Sequence, residues 1–456
     1  LDLHGNANKK ELAPDGLDKN VFDIRQGVAV CLATRSLAES SVQHAALWGL
    51  REAKYAWLTN HDVDNTAFQR LSPNSPFYLF IPQNSDCRAE YERGYSLAEV
   101  FPKNGVGIVT ARDALTIDVD AGRLWQRVVR FCRLAPEDAR AEYELGSDVQ
   151  SWRVCWAQED VRKSGPDRSL VREVLYRPFD VRHVYYTGAS SGFVCRPVWD
   201  VMRCMVGGKN VAMVTTRTVE IGRGFEHVFC TRGFIQHHSV SVKEVNYLFP
   251  LMLPPDDSQA GSLLREHHAP QVNLSSRFVR SLADALNLVQ RASDGLPSGI
   301  SAEDIFHYAY AVFHSPGYRS RYAEFLKIDF PRLPLTSSLE LFRALAHLGG
   351  ELVALHLLES PTLEKPITKF IGSASPVVDK VTYEAGTVWF GKAKTCGFRG
   401  VPEPVWNFHI GGYQVCEKWL KDRKGHVLSA DDITHYHRIV VALSETIRLM
   451  GEVDAI

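Results

Sequence analysis

The chain has 456 residues, of which 45% are hydrophobic and 23% charged, with a formal net charge of −1 at pH 7. That composition is ordinary for a globular protein and excludes a long disordered chain, while the length calls for more than one hydrophobic core. Apolar runs such as Ile439-Val-Val-Ala-Leu443 fall far short of the ~20 residues of a membrane span. No secretory leader opens the sequence, and nine cysteines without a Cys-x-x-Cys pair argue against a disulfide framework or zinc knuckle. A reducing cytoplasm is the expected location.

In chain order, Leu1–His4 and Gly27–Thr34 read as two strands of a hairpin, the second so apolar that burial on both faces is expected. Leu1-Asp-Leu3 reads as a strand already in progress, and the expectation is a piece of a longer polypeptide. The polar stretch Gly5–Asp23 is the connecting loop. Trp48–Leu58 has apolar residues at helical spacing, and residues 60–75 read as a linker. From Pro76 to Pro250, short strand-like runs alternate with turns: Phe77–Ile81, Gly107–Thr110, Arg153–Trp156, His183–Tyr186, Val211–Thr215 and His227–Thr231. After Pro254-Pro255 the pattern turns helical. Ser301-Ala-Glu-Asp304 is a capping box, Ser337-Ser-Leu-Glu340 starts a second helix reaching Leu358, and a last helix begins near Ala430.

Positive charge is concentrated. Residues 151–250 hold 14 Lys/Arg against 9 Asp/Glu, whereas the segments on either side are slightly acidic. The densest stretch, Tyr176 to Arg196, interleaves guanidiniums with flat rings. Arg binds phosphate bidentately and aromatic faces stack on bases, so DNA is one reading. A solvated basic face over core aromatics is the other, and charge alone does not choose.

Complete catalytic motifs are missing from the sequence. There is no Gly-x-x-x-x-Gly-Lys-Ser/Thr phosphate loop, and Leu253-Pro-Pro-Asp256 holds the single Pro-Pro. The pairs His237-His238 and His267-His268 are poor metal candidates, because adjacent residues of a strand point to opposite sides. No metal site is expected.

Leu1-Asp-Leu-His-Gly-Asn6, Val21-Phe-Asp-Ile-Arg-Gln-Gly-Val28, Leu175-Tyr-Arg-Pro-Phe-Asp180, Ile305-Phe-His-Tyr308 and Trp406-Asn-Phe-His-Ile-Gly-Gly-Tyr-Gln-Val415 with Lys418–Lys424 resemble the C-terminal part of type ISP restriction-modification enzymes. The resemblance spans essentially the whole chain. It implies a fold running from α/β to α+β: the edge of a methyltransferase-type sheet, then a mixed target-recognition domain with a helical region. Residues 1–65 would close an adenine-N6 methyltransferase domain, residues 66–300 would form a basic, strand-rich part of the recognition domain, and residues 301–456 its helical part. Double-stranded DNA and upstream methyltransferase, translocase and nuclease domains are the implied partners. S-adenosylmethionine, ATP and magnesium would serve the intact enzyme, with no cofactor bound by this chain alone and no complete enzyme within it.

The resemblance also implies roles. Methyltransferases of this type flip the target adenine out of the duplex, and Phe22 matches the aromatic position that stacks on it; a Phe that merely caps the sheet core is the alternative. Candidate DNA contacts in the basic segment are Arg182, Arg196, Arg203, Arg217, Arg223, Arg232 and Lys243, with Tyr185 and Tyr186 as rings. A second cluster, Lys418, Lys421, Arg423 and Lys424, would either clamp the duplex from another side or form a solvated helix end. A competing reading makes the chain an interaction or spacer module, with the helical residues 301–359 docking the motor.

Overall fold

The computed structural model describes residues 1–7, 13, 16–35, 40–73, 78–82, 87–220, 223–255, 271–372, 376–391 and 393–456. Phe77 and the pair His267-His268 therefore lie outside the described residues. The chain divides into two compact units: Leu1–Arg88 with Glu220–Gly224, and Ala89–Val219 with Phe225–Ile456.

In the first unit the predicted hairpin pairing is present. Leu3 N–H donates to the Val28 carbonyl and Val30 N–H to the Leu1 carbonyl, both at 2.8 Å, and Asp2 bridges Ala46 in parallel on its other side. The expected burial of the second strand is not found, since Val30 is 44% and Leu32 73% exposed. An apolar run signals a strand that needs cover, and among the described residues none covers Val30 or Leu32. The helix spans Arg51–Asn60, later than its apolar spacing suggested. Its buried residue is Lys54, whose ammonium donates to the Leu3 carbonyl at 2.7 Å and pairs with Asp18 at 2.6 Å. Tyr78–Ile81 forms no strand.

The second unit contains a four-stranded sheet in the order Phe234–Ile235, Val171–Arg177, Asp180–Tyr185, Ile117–Asp118. Helices Ala121–Phe131, Pro136–Glu142 and Val154–Ser164 supply a core around Trp152, Phe131 and Phe193. The run Arg153–Trp156, read as a strand, instead opens the third of these helices. Val154, Ala157 and Val161 are buried at helical spacing, a period too long for a four-residue window to reveal. A second sheet orders Gly105–Val106, Asn246–Pro250, Ala212–Thr216 and Phe229–Thr231.

The helical region is built on three helices. Ala302–His314 and Ala430–Ala455 each start with a serine capping box, at Ser301 and Ser429. Leu339–His356 is capped by Ser338, one residue later than the motif suggested. A Cβ on Gly349 would sit 1.9 Å from the His307 carbonyl oxygen, so only glycine allows Leu339–His356 to approach Ala302–His314 this closely. Below the contact, Tyr310 Oη lies 2.5 Å from His356 Nδ1, and His356 Nε2 lies 2.9 Å from Thr446 Oγ1.

Burial, aided by the nearby Arg319 charge, pushes His356 from 6.5 down to about 3 and also holds His314 well below its ordinary value. The folded protein therefore keeps both rings neutral while the unfolded chain takes up protons below about pH 6.5. Stability should be intact well above that pH and fall on acidification through it, as the unfolded chain takes up protons that the folded protein does not. Melting temperatures from pH 7 to pH 5.5 should show this decline, and His356→Gln should flatten it. An identical pH slope in that variant would assign the decline elsewhere.

Candidate nucleic-acid interface

Strands Val171–Arg177 and Asp180–Tyr185 form a hairpin whose register shifts between Leu175 and Arg177. At its turn Phe179 adopts a φ of 59°, a conformation few non-glycine residues take. His435 Nε2, from the last helix, lies 2.8 Å from the Phe179 carbonyl oxygen and holds the turn in place. The bulge leaves the Tyr176 ring with two guanidiniums on it, Arg177 at 4.0 Å and Arg182 at 3.9 Å from the ring centroid. Such stacks leave guanidinium N–H groups free to donate in the ring plane.

Asp180 organises the cluster. It is buried, and its Oδ2 accepts from Arg182 Nε at 3.0 Å and Nη2 at 2.7 Å. Its Oδ1 accepts from Arg423 Nη2 at 3.0 Å, a contact made across 243 residues of sequence. Burial pushes the Asp180 carboxyl up, but Arg423 and Arg182 outweigh it and hold it below the ordinary carboxylate value. Arg423 in turn lies 3.5 Å over the Trp419 ring. Lys418 pairs with Asp422 and lies 5.9 Å from the Tyr413 centroid.

Arg177 binds this hairpin to a third segment. Its Nη1 donates to the Gln236 Oε1 at 3.3 Å and the His238 carbonyl at 3.2 Å, and Tyr413 Oη donates to the same carbonyl at 2.7 Å. No carboxylate pairs with Arg177 among the described residues, and its Nε is buried without a hydrogen-bond partner. Arg196 stands next to this segment: after burial and His238, its charge contributes to lowering the His237 pKa. The acids thus match the buried guanidiniums of Arg182 and Arg423, and among the described residues no acid pairs with Arg177, Arg196 or Lys424.

The sequence of residues 99–452 matches the family model of the Type ISP C-terminal specificity domain. The chain belongs to this family. No match is found among curated protein sequences. Among solved structures, the chain is similar to the DrdV protein of a DrdV–DNA complex, with TM-score 0.68 and 20% identity, over 99% of this chain and 47% of that one. It is similar to a nuclease-deletion mutant of the Type ISP restriction-modification enzyme LlaGI in complex with a DNA substrate mimic, with TM-score 0.66 and 15% identity, over 99% and 43%. For the ATP-dependent Type ISP enzyme LlaBIII bound to DNA the values are 0.67 and 17%, over 99% and 30%. The chain thus spans less than half of each of these proteins.

Within this specificity domain, the structure brings Arg182, Lys418 and Arg423 into one cluster, with Lys421, paired to Glu417 at 2.8 Å, on the same short helix. Tyr185 and Tyr186 are core residues: Tyr185 Oη lies 2.7 Å from Ser164 Oγ, and Tyr186 Oη donates to the Pro197 carbonyl at 2.7 Å. Arg217 pairs with Asp329 at 2.9 Å, and Arg232 grips Glu359 at 2.5 and 2.9 Å. Arg203 is half-buried and Lys243 exposed, both outside the cluster contacts described above. Arg177, Tyr176, Tyr413 and Gln236 belong to the cluster although sequence reasoning did not select them. For Tyr176, Arg177 and Tyr413 the one signal was their place in or beside the Arg-Pro-Phe-Asp and Gly-Gly-Tyr-Gln motifs, and Gln236 had none.

In the other unit, Phe22 is 56% exposed on a firmly tied loop. Its N–H donates to Asn20 Oδ1 at 2.8 Å and its carbonyl accepts from Arg51 Nη2 at 2.9 Å, while Arg51 also pairs with Asp23 at 2.8 Å. Arg223, paired to Glu220 at 3.7 Å, is in the same unit. Among the described residues no group of three or more His, Cys, Asp or Glu is arranged to hold a metal ion, and no helix is long and apolar enough to cross a membrane.

Proposed function

We propose that this chain reads double-stranded DNA on behalf of a longer restriction-modification enzyme. In this role it presents a target adenine for S-adenosylmethionine-dependent N6 methylation and directs restriction to unmodified sites. The observation that carries the reading is the meeting of two remote basic segments, at 176–182 and 418–424, on the single carboxylate of Asp180. Arg182 and Arg423 are spent on that ion pair and position the platform. Arg177, Arg196 and Lys424 are left to meet phosphate or base edges, since most protein to DNA hydrogen bonds go to the backbone and a minority read sequence. Arg217, Arg223, Arg232 and Lys421 contribute only by exchanging a surface carboxylate for phosphate, while Arg203 and Lys243 remain candidate contacts outside the cluster.

Residues 1–65 would then close the methyltransferase fold, with the exposed edge at Val30 and Leu32 taking up the upstream sheet. Residues 66–300 and 301–456 would form the two parts of target recognition, joined at Asp180. The methyltransferase, translocase and nuclease domains, and with them S-adenosylmethionine, ATP and magnesium, are assigned to the rest of the polypeptide.

Selection of duplexes from a random pool by this chain should enrich one sequence, and binding should weaken steeply with salt, with a log–log slope of about −0.9 per phosphate neutralised. A chain indifferent to DNA at low salt would instead support the interaction-module reading.

A further inference from the structure

The C-terminal four-stranded antiparallel sheet runs in the order Lys369–Ile371, Gly397–Arg399, Thr387–Trp389, Thr382–Glu384. Its middle row, Phe370, Phe398, Val388 and Tyr383, includes two fully buried residues, and Phe398 packs 4.2 Å from the Tyr436 ring centroid of the last helix. Alternation along strands turns the neighbouring rows to the opposite face. On that outer face Lys369 stands directly across from Arg399, and both are exposed. Neither has an acidic partner among the described residues.

Like charges set directly opposite each other on a sheet are destabilising. Several exposed arginines of this unit are matched by acids, as Arg217 is by Asp329 and Arg232 by Glu359. The row beside the charged pair places half-buried Trp389 against Gly397, where an added Cβ would lie 3.0 Å from Trp389 Cε3, so the indole lies across a strand with no side chain beneath it. The surrounding segment 365–400 carries six Lys/Arg against two Asp/Glu. An exposed cation pair with no acidic partner among the described residues, on the same sheet face as a half-buried indole, has the chemistry of a polyanion surface.

We propose that this face is a second duplex contact, gripping the phosphate backbone beside the segment read by the Asp180 cluster. The proposal rests on the DNA-reading assignment above. It adds affinity without sequence information, because Lys369 and Arg399 reach phosphates rather than base edges.

The test compares the whole chain with its Lys369→Ala/Arg399→Ala variant, using a duplex carrying the selected site at several salt concentrations. Both residues are exposed, and a melting temperature no lower than the parent's verifies folding. The variant should bind about tenfold more weakly at 0.1 M salt, with a log–log salt slope shallower by about 1.8, which corresponds to two phosphates. Discrimination between selected and scrambled duplexes should stay the same. Wild-type affinity and slope in the variant would overturn this proposal while leaving the DNA-reading assignment standing. Failure of the parent chain to bind any duplex would overturn both.

Discussion

Replacing Asp180 with alanine should destabilise the specificity domain by about 3–5 kcal/mol, the range for breaking a buried ion pair from one side. The carboxylate serves two guanidiniums at once, and the Arg182 and Arg423 side chains are only 15% and 10% exposed. Without it two like charges would face each other with little water to screen them. Asp432, at 3.6 Å from Arg423 Nε, offers partial relief, and the Tyr176 and Trp419 faces some more. Asp180→Asn should be milder, since it keeps an acceptor and loses only the charge. Arg423→Met in the alanine background should recover part of the loss, because it removes one of the stranded cations. Thermal or urea unfolding of the four proteins reads this directly. An Asp180→Ala variant within about 1 kcal/mol of the parent, inside the range of ordinary surface substitutions, would show that the node does not organise the cluster. Because DNA contact is assigned to Arg177, Arg196 and Lys424 rather than to Asp180 itself, weaker binding by Asp180→Ala should track its unfolding.

What was legible in the sequence was mostly local. Capping boxes at Ser301 and Ser429 announced helices because a serine and an acid three residues on satisfy each other's backbone. Strands around His183 and Val211 were legible as short strand-like runs between turns. Among the local readings that failed, Arg153–Trp156 is apolar enough for either element, Tyr78–Ile81 forms no strand, and the burial expected of Gly27–Thr34 is absent at Val30 and Leu32. Residue types at the cluster were also visible in the basic segment, and Arg182 was selected on chemistry alone. Its partner was not foreseeable, because a contact across 243 residues leaves no local pattern. Tyr185 and Tyr186 show the converse limit. Two adjacent tyrosines suggest that one ring faces outward, yet both are buried, one in the core around Trp152 and Phe193 and the other against Phe234 at 4.5 Å. Lys369 and Arg399 escaped notice because their charges are spread thinly along the chain and become neighbours only through strand register.

In the intact enzyme, Phe22→Ala should lower methylation of a cognate duplex by about ten- to a hundredfold, which follows from the roughly 1–3 kcal/mol that an aromatic side chain contributes by stacking on one base. The geometry makes this a clean substitution. At 56% exposure, the ring contributes little to the core, so its loss should cost little stability. The loop around it is tied through backbone groups, Phe22 N–H to Asn20 and its carbonyl to Arg51, which survive truncation to alanine. A large apolar ring held out into solvent on a loop tied this firmly is hard to explain as packing and easy to explain as a surface awaiting a partner. Non-specific duplex affinity should remain nearly unchanged, because the substitution removes no charge. Placing a fluorescent adenine analogue at the target position separates the two stages: the parent enzyme should move the base out of the stack, and the variant should leave it stacked while still binding. Phe22→Trp, which keeps a flat face, should retain most of the activity. Methylation undiminished in Phe22→Ala would remove Phe22 from base flipping and leave it as an exposed cap on the sheet.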